Sequence, residues 1–348
     1  MRKVIKFICS IVALLILCFL GLVIFLMITE FKPKDVEEVA ISGSNDKKVE
    51  LDKEYNILSW NIGYGGLDKD TDFFMDGGKM VFPINKDHVE NALDGIISSI
   101  KEINPDFTFL QEVDSDSKRT FHINEVRKFD ESFFGQSTFA YNYKVIFVPF
   151  PWPPMGKINS GIYTHSNYEI DHSYRYQQPV PHKFPVRLAN LKRGFNASYL
   201  PIKNSDKELV LVNVHLDAYE SGSSGRVAQS KQIIAFVADE YKKGNYVIVG
   251  GDFNQELRKG LVYDNPEGIW TPSPFPYEYL TDDLKVVIDD KQTTSRLNNK
   301  PYDPNDSYET IIDGFIVSKN VEIIKCKGYD FGFKNSDHNP VSIKFKLK

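Results

Sequence analysis

Six places along this chain carry side chains able to do chemistry: Asn61, Glu112, His215, Asp252 with Asn254, Asp313, and Asp337 with His338. Carboxylates are hard oxygen ligands that suit Mg²⁺, and equally Mn²⁺ or Ca²⁺. Histidine exchanges a proton near neutral pH. The Asn amide donates and accepts fixed hydrogen bonds. Together these types suit attack of water on a phosphate ester. That reaction needs a metal against the phosphoryl charge, a base with a near-neutral pKa, and fixed donors on the non-bridging oxygens. Taken singly, each residue has a plainer reading as a turn former, a cap or a satisfied histidine.

Elements must aim these side chains, and most of them stand at strand ends. Tyr246 to Val249 reads as a buried strand stopped by Gly250 and Gly251, which let the backbone turn and leave Asp252 and Asn254 on the loop beyond. Tyr55 to Trp60 is a strand ending in Asn61 and a glycine-rich loop. That loop lacks the Lys-Ser/Thr ending of a nucleotide-binding P-loop. Phe107 to Leu110 ends in Gln111 and Glu112, and Glu208 to Val214 ends in His215, Leu216 and Asp217. Thr310 to Val317 and Val321 to Lys327 are strands, and Ser336 to Pro340 precedes a last one, Val341 to Leu347.

Between them, Lys86 to Ile103 is a helix. Val89, Leu93, Ile96 and Ile100 form one stripe, Asn85 caps it and Asn104-Pro105 stops it. Arg226 to Lys243 is a second, ended by Gly244-Asn245, and Arg119 to Glu131 reads as a third. Phe139 to Val148 is a strand, and Lys157 to Thr164 with Tyr168 to Tyr176 form a strand pair. Loops cover Asp72 to Ile84, the proline-rich Pro149 to Met155, a turn at Ser221 to Gly225, and Asp264 to Pro276. Strand–helix–strand recurs, so the fold class is α/β.

The first 29 residues differ from the rest. Phe7 to Thr29 holds no charge over 23 residues, enough for one transmembrane helix. Arg2, Lys3 and Lys6 precede it, which predicts a cytoplasmic amino terminus and an extracellular remainder, as on a bacterial cell membrane. An uncleaved anchor fits better than a signal peptide, because the run is long and no small-x-small site follows it. Glu30 to Asp52 is charged and poor in aromatics, and reads as a tether. The expected organisation is thus anchor 1–29, tether 30–52 and catalytic domain 53–348.

Three of the 42 basic residues and none of the 47 acidic ones lie in the first 29 residues, so the remainder carries a net charge of −8. An acidic domain gains little from long-range attraction to nucleic acid. Cys326 is the single cysteine beyond the apolar run, so the soluble part holds no internal disulfide.

The set Ser59-Trp60-Asn61, Leu110-Gln111-Glu112-Val113, Asn213-Val214-His215-Leu216, Gly250-Gly251-Asp252-Phe253-Asn254, Ile312-Asp313-Gly314-Phe315 and Ser336-Asp337-His338-Asn339-Pro340-Val341 resembles the endonuclease/exonuclease/phosphatase superfamily, over residues 55–347 and in the family's order. The resemblance implies a DNase I-like two-sheet α/β sandwich with outer helices and the site at the sheets' shared edge. It implies Glu112 as principal metal ligand with Asn61 and Asp337 beside it, and His338 as the base on water, oriented by Asp313. His215 would bind or protonate the phosphate, and Asp252 and Asn254 would position the nucleophile and a phosphate oxygen. Asn159 matches a supporting Asn more weakly. The family's usual Asp-Tyr-Ile is Asp313-Gly314-Phe315 here, and Asp217 is an extra carboxylate without a family role.

The expected function is a Mg²⁺-dependent phosphodiesterase or phosphatase acting on a phosphate ester, with a lipid or headgroup favoured over DNA. The anchor, the acidic domain and the Phe150–Trp152 loop, which suits a membrane surface, support that order. A surface nuclease is the alternative, supported if Lys183, Arg187, Lys192 and Arg193 cluster beside the site; Arg187 and Arg193 are the candidate phosphate contacts. A non-catalytic surface binding module is the third reading. No protein partner is implied.

Overall fold

The structure is a computed structural model describing residues 1–219, 224–261 and 270–348. Two seven-stranded mixed sheets lie face to face. One runs in the order Val36–Glu38, His172–Gln177, Gly194–Pro201, Glu208–His215, Tyr246–Asp252, Asp313–Ser318, Leu284–Val287. The other runs Val321–Gly328, Val341–Leu347, Tyr55–Asn61, Phe107–Asp114, Gly156–Ser166, Gln136–Val148, Ile41–Gly43. At the middle of each is one parallel pair joined through a helix, the α/β unit expected from the sequence.

Burial explains the strand sequences. The central strands are buried on both faces and so read as continuous apolar runs. Phe107, Phe109, Leu211, Ile248, Phe315 and Ile343 fill the space between the sheets. Helix Lys86–Ile103 lays Val89, Leu93, Ile96 and Ile100 on the outer face of one sheet, against Leu58 and Trp60. Asn85 caps it by accepting from the His88 N–H at 2.8 Å. Helix Ser224–Lys242 covers the other sheet through Ile233, Ile234 and Val237.

Several local expectations change. Gly250 and Gly251 do not stop their strand, which runs on through Asp252. A Cβ at 250 would lie 2.7 Å from the Phe315 ring and 2.9 Å from Phe109; at 251, where φ is +150°, it would lie 1.9 Å from the Val214 carbonyl oxygen. These glycines permit close packing of sheet on sheet and strand on strand. Gly156–Ser166 and His172–Gln177 are not partners. The first pairs with Gln136–Val148 and Phe107–Asp114, the second with Gly194–Pro201 in the opposite sheet. In place of one helix over Arg119 to Glu131 there is a 3₁₀ turn, Lys118–Thr120, and a short helix, Glu125–Ser132, capped by Asn124. The strand expected over Thr310 to Val317 breaks at Ile311 and Ile312 into Glu309–Thr310 and Asp313–Ser318.

Residues 30–52, read above as a tether, fold onto the domain. Val36–Glu38 and Ile41–Gly43 add an edge strand to each sheet, and Val49 is fully buried, bridged to Ile202. The helix Arg2–Thr29 is long and apolar enough to cross a membrane. Residues 221–223 of the expected Ser221–Gly225 turn and 264–269 of the expected Asp264–Pro276 loop lie outside those described; within the rest of that loop Ser273–Pro274 pairs with Gln255–Glu256.

Candidate active site

Register builds the first half of the site. Asp252 is paired with His215 on one neighbouring strand and with Asp313 on the other, so three reactive groups form a row across three strands. From the facing sheet come Asn61, at the end of Tyr55–Asn61, and Glu112. The ladder between Phe107–Asp114 and Gly156–Ser166 shifts between Leu110 and Val113, and Glu112 sits there with φ +57°. This bulge re-aims its carboxylate, a known use of such irregularities. Beneath, a buried strut locks the sheets together. Gln111 Nε2 donates to Asn213 Oδ1 at 2.8 Å, and Asn213 Nδ2 donates to the Tyr163 carbonyl at 2.9 Å.

The last segment closes the site. His338 is held by its own carbonyl, which accepts from Trp60 Nε1 at 2.8 Å. Its Nδ1 lies 2.8 Å from Asp313 Oδ2. Its Nε2 faces Asn61 Nδ2 and Ser295 Oγ, each at 3.4 Å, and Asp252 Oδ2 at 3.8 Å. Asn61 Nδ2 also reaches Asp252 Oδ2 at 3.0 Å and Glu112 Oε1 at 3.3 Å. His215 Nε2 stands 3.4 Å from Asp252 Oδ2 and 3.9 Å from Glu112 Oε1. Asn254, with φ +48°, donates its N–H to Asp252 Oδ1 and its Nδ2 to the Leu216 carbonyl, both at 2.8 Å. Asp337 accepts from Asn298 Nδ2 at 2.5 Å, and Ser336 Oγ ties Asp337 Oδ1 to the Asn61 carbonyl.

Burial and crowded charge set the protonation. Burial, then Asp313, pushes Asp252 up to about 7. Burial raises Glu112, with Asp337 adding to it and Arg119 opposing. Burial holds His215 well below its ordinary value, helped by Arg193. For His338, burial pulls down, but Asp313, Asp252 and Asp337 outweigh it and push the ring up to about 10.

The weaker candidates divide. Arg193 is buried and lines the cleft, with Nε 3.5 Å from Asp217 Oδ1. Asp217, which had no role from the sequence, is held by Gln229 Nε2 at 2.5 Å and steadies that guanidinium. Arg187 turns away, its Nε 3.9 Å from Glu30, and Lys192 Nζ is 3.2 Å from the same carboxylate. Lys183 is exposed. The four basic residues therefore do not form one patch. Asn159 is fixed through its main chain to Ser115 and Ser117, while its neighbour Ser160 lines the cleft.

Sequence reading missed Arg119, which stacks 3.6 Å from the Tyr64 ring centroid and makes a two-pronged pair with Asp114, both bonds 2.9 Å. It also missed Ser295, Asn298 and Asp76, whose Oδ1 accepts from Tyr219 at 2.6 Å. Asp76 stands on a 3₁₀ turn, Asn298 in a loop and Ser295 on a two-residue strand, all too short for periodicity to mark them.

All of this opens into one cleft of about 890 Å³. Its floor carries Glu112, His215, Asp252, Asp337 and His338; one side is apolar and includes Leu22, Val23 and Leu26 of the first helix. Carboxylates of Glu112, Asp252 and Asp337 crowd the floor with Asp313 behind His338, whereas Arg119 is taken up by Asp114 and Arg193 by Asp217. Surplus negative charge on oxygen ligands is what a hard divalent cation needs, so the residues fit one. Asp252, Asp313 and His338 present ligand atoms within 4.8 Å of one another, which also suits a metal, and within that trio Asp313 hydrogen-bonds the His338 ring.

A sequence profile of the Endonuclease/Exonuclease/phosphatase family matches residues 58–338. No curated protein matches the chain. Among solved structures, it is similar to an endonuclease/exonuclease/phosphatase from Beutenbergia cavernae DSM 12333, at 16% identity over 85% of this chain and 72% of that one, with a TM-score of 0.57. A family protein from Bacteroides thetaiotaomicron matches at 15% identity over 85% and 98%, with a TM-score of 0.53. D. rerio TDP2, complexed with single-strand DNA product, matches at 16% over 85% and 100%, with a TM-score of 0.50. At these identities the likeness is one of fold.

Proposed function

Because the chain belongs to the endonuclease/exonuclease/phosphatase family, whose members are hydrolases of phosphoester bonds, we propose that it is a divalent-metal-dependent phosphoesterase anchored at the outer face of a membrane. The observation that carries this reading is the His338–Asp313 pair beside three cleft carboxylates, those of Glu112, Asp252 and Asp337.

Glu112, Asn61 and Asp337 would hold the cation, Mg²⁺ in the first instance. Bound there, it would neutralise phosphoryl charge, and its own charge would draw the His338 value back toward neutrality. Asp313 fixes the His338 ring with Nδ1–H toward Oδ2, leaving Nε2 to take a proton from attacking water. Asp252 and Asn61 position that water. His215, kept neutral by burial, and Arg193 meet the non-bridging oxygens. Asn254 completes the floor behind Asp252. The three basic residues in the first turns of that helix, Arg2, Lys3 and Lys6, favour an outward-facing domain.

The test is hydrolysis of bis(p-nitrophenyl) phosphate by the full chain in lipid nanodiscs, with Mg²⁺ or EDTA and with His338→Ala. Duplex DNA, a choline phospholipid and inositol phosphates form the substrate panel. Metal-dependent turnover lost in the variant is expected, with lipid or headgroup esters ahead of DNA. Efficient DNA cleavage with no turnover of the others would replace the lipid preference by a nuclease. No turnover with any metal would leave a binding module on this fold.

A further inference from the structure

Leu22, Val23 and Leu26 of the first helix line the same cleft as Glu112 and His338. Plain helix packing accounts for Leu26, which is buried, but not for Leu22 and Val23, which are half-buried and face open space. The cleft continues past them along Phe74, Tyr143, Val148 and Met155, whose packing makes a small apolar cluster of its own. Beyond lie Phe150 and Trp152, 71% and 88% exposed, on the proline-rich loop.

The end of the helix is held in place. The Glu30 carboxylate, just past its last residue, is buried against Lys192 and beside Arg187; their chain neighbours Leu191 and Val186 line the cleft. Burial lowers the Lys192 ammonium, with Glu30 opposing that shift. This polar clamp seats the helix end against the catalytic domain.

Depth follows from length. A hydrocarbon core takes about 20 helical residues. Counted from Phe7, the first residue after the basic cluster, that span ends at Leu26. Leu22, Val23 and Leu26 therefore stand at the level of the outer leaflet's chains. Trp152 and Phe150 are residue types that settle at the membrane boundary. An amphiphile could enter the cleft sideways, with its chain in apolar surroundings and its phosphate at the carboxylates.

We propose that the end of the membrane helix is a wall of the substrate site, which takes a membrane lipid phosphoester whose hydrocarbon chain lies against Leu22, Val23 and Leu26. This rests on the phosphoesterase reading above and narrows its substrate to esters bearing a long chain. The anchor then selects substrate as well as place.

The test uses the full chain in nanodiscs with methyl, octyl and hexadecyl p-nitrophenyl phosphodiesters. Each methylene buried against such a wall is worth about fourfold in affinity. The octyl ester should exceed the methyl ester in kcat/KM by at least about tenfold, through KM. Leu22→Trp and Val23→Trp, each filling the channel from a half-buried position, should collapse that ratio toward one. Leu14→Trp, on the exposed middle of the helix, should keep the wild-type ratio. A ratio unchanged in both channel variants would assign the chain preference to partition into the disc and overturn the proposal. A methyl ester turned over as well as the octyl one would also overturn it.

A second readout needs no turnover: photocrosslinking of a diazirine-bearing alkyl phosphate. Adducts within 19–26 and on Tyr143 or Met155 support the channel even if no ester is hydrolysed, in which case the phosphoesterase reading alone falls. Adducts confined to other surfaces overturn the channel while leaving that reading intact.

Discussion

Nδ1 of His338 lies 2.8 Å from Oδ2 of Asp313, with both side chains almost wholly buried. Asp313 is fixed by its place in the sheet and by Thr294 Oγ1, which accepts its main-chain N–H at 3.1 Å. The pair thus presents one ring nitrogen to the cleft and ties down the other. General-base action of this kind contributes about 10²–10⁴-fold to a rate. Asp313→Asn and His338→Ala should each reduce kcat within that range, and the double variant should be little worse than either alone. Steady-state kinetics on a phosphodiester checks this; additive losses would mean that the two act separately.

Metal dependence should track Glu112. Its carboxylate is aimed by the bulge at φ +57° and backed by Asn61. Glu112→Gln keeps the shape and removes the charge. Calorimetric titration with Mg²⁺ or Mn²⁺ should show weaker binding, by about tenfold or more given the stronger bonding of charged groups. Equal affinity in the variant would move the metal elsewhere.

Arg193 should act on substrate binding. Hydrogen bonds to charged groups are worth about 1.5–3 kcal/mol, so Arg193→Ala should raise KM about tenfold or more. Asp217→Asn loosens the guanidinium without removing it and should give a smaller rise in the same direction. Unchanged KM in both would restrict Arg193 to a structural role.

Gly251 tests the sheet geometry. Its φ of +150° and the 1.9 Å approach of an added Cβ to the Val214 carbonyl leave no room for alanine. Gly251→Ala should destabilise by about 1–3 kcal/mol, the usual cost of overpacking. It should also displace Asp252 and depress turnover. Chemical denaturation measures the first effect, and a wild-type midpoint would contradict the geometry.

His165 should make stability pH-sensitive. Burial holds its pKa below the ordinary 6.5, with the Phe134 carbonyl opposing. Below that pH the unfolded chain takes up a proton that the folded ring resists. Stability from this group is therefore complete above about 6.5 and is lost as pH falls from there toward the folded value. His165→Gln should flatten the fall in melting temperature between pH 7.5 and about 5.5 relative to wild type. An identical slope would assign the effect to other groups, His215 first among them.

Much of this molecule is written locally in the chain. Apolar runs such as Tyr246 to Val249, the stripe on Lys86–Ile103 and the Asn85 cap depend on residues a few places apart, so periodicity and capping chemistry disclose them. The candidate residues that converge on the cleft are legible because strand ends deliver them in a recurring order of short motifs. Tertiary structure decided what no local pattern encodes: that Asp252 stands in register with both His215 and Asp313, and that Arg193 reaches the cleft while Arg187 turns to Glu30. It also decided that Gly250 and Gly251 serve contact rather than a turn, and that residues 30–52 add strands to both sheets. Register, close approach and charge pairing are contacts between segments distant along the chain. Their energies exist only once the two sheets and the first helix have come together.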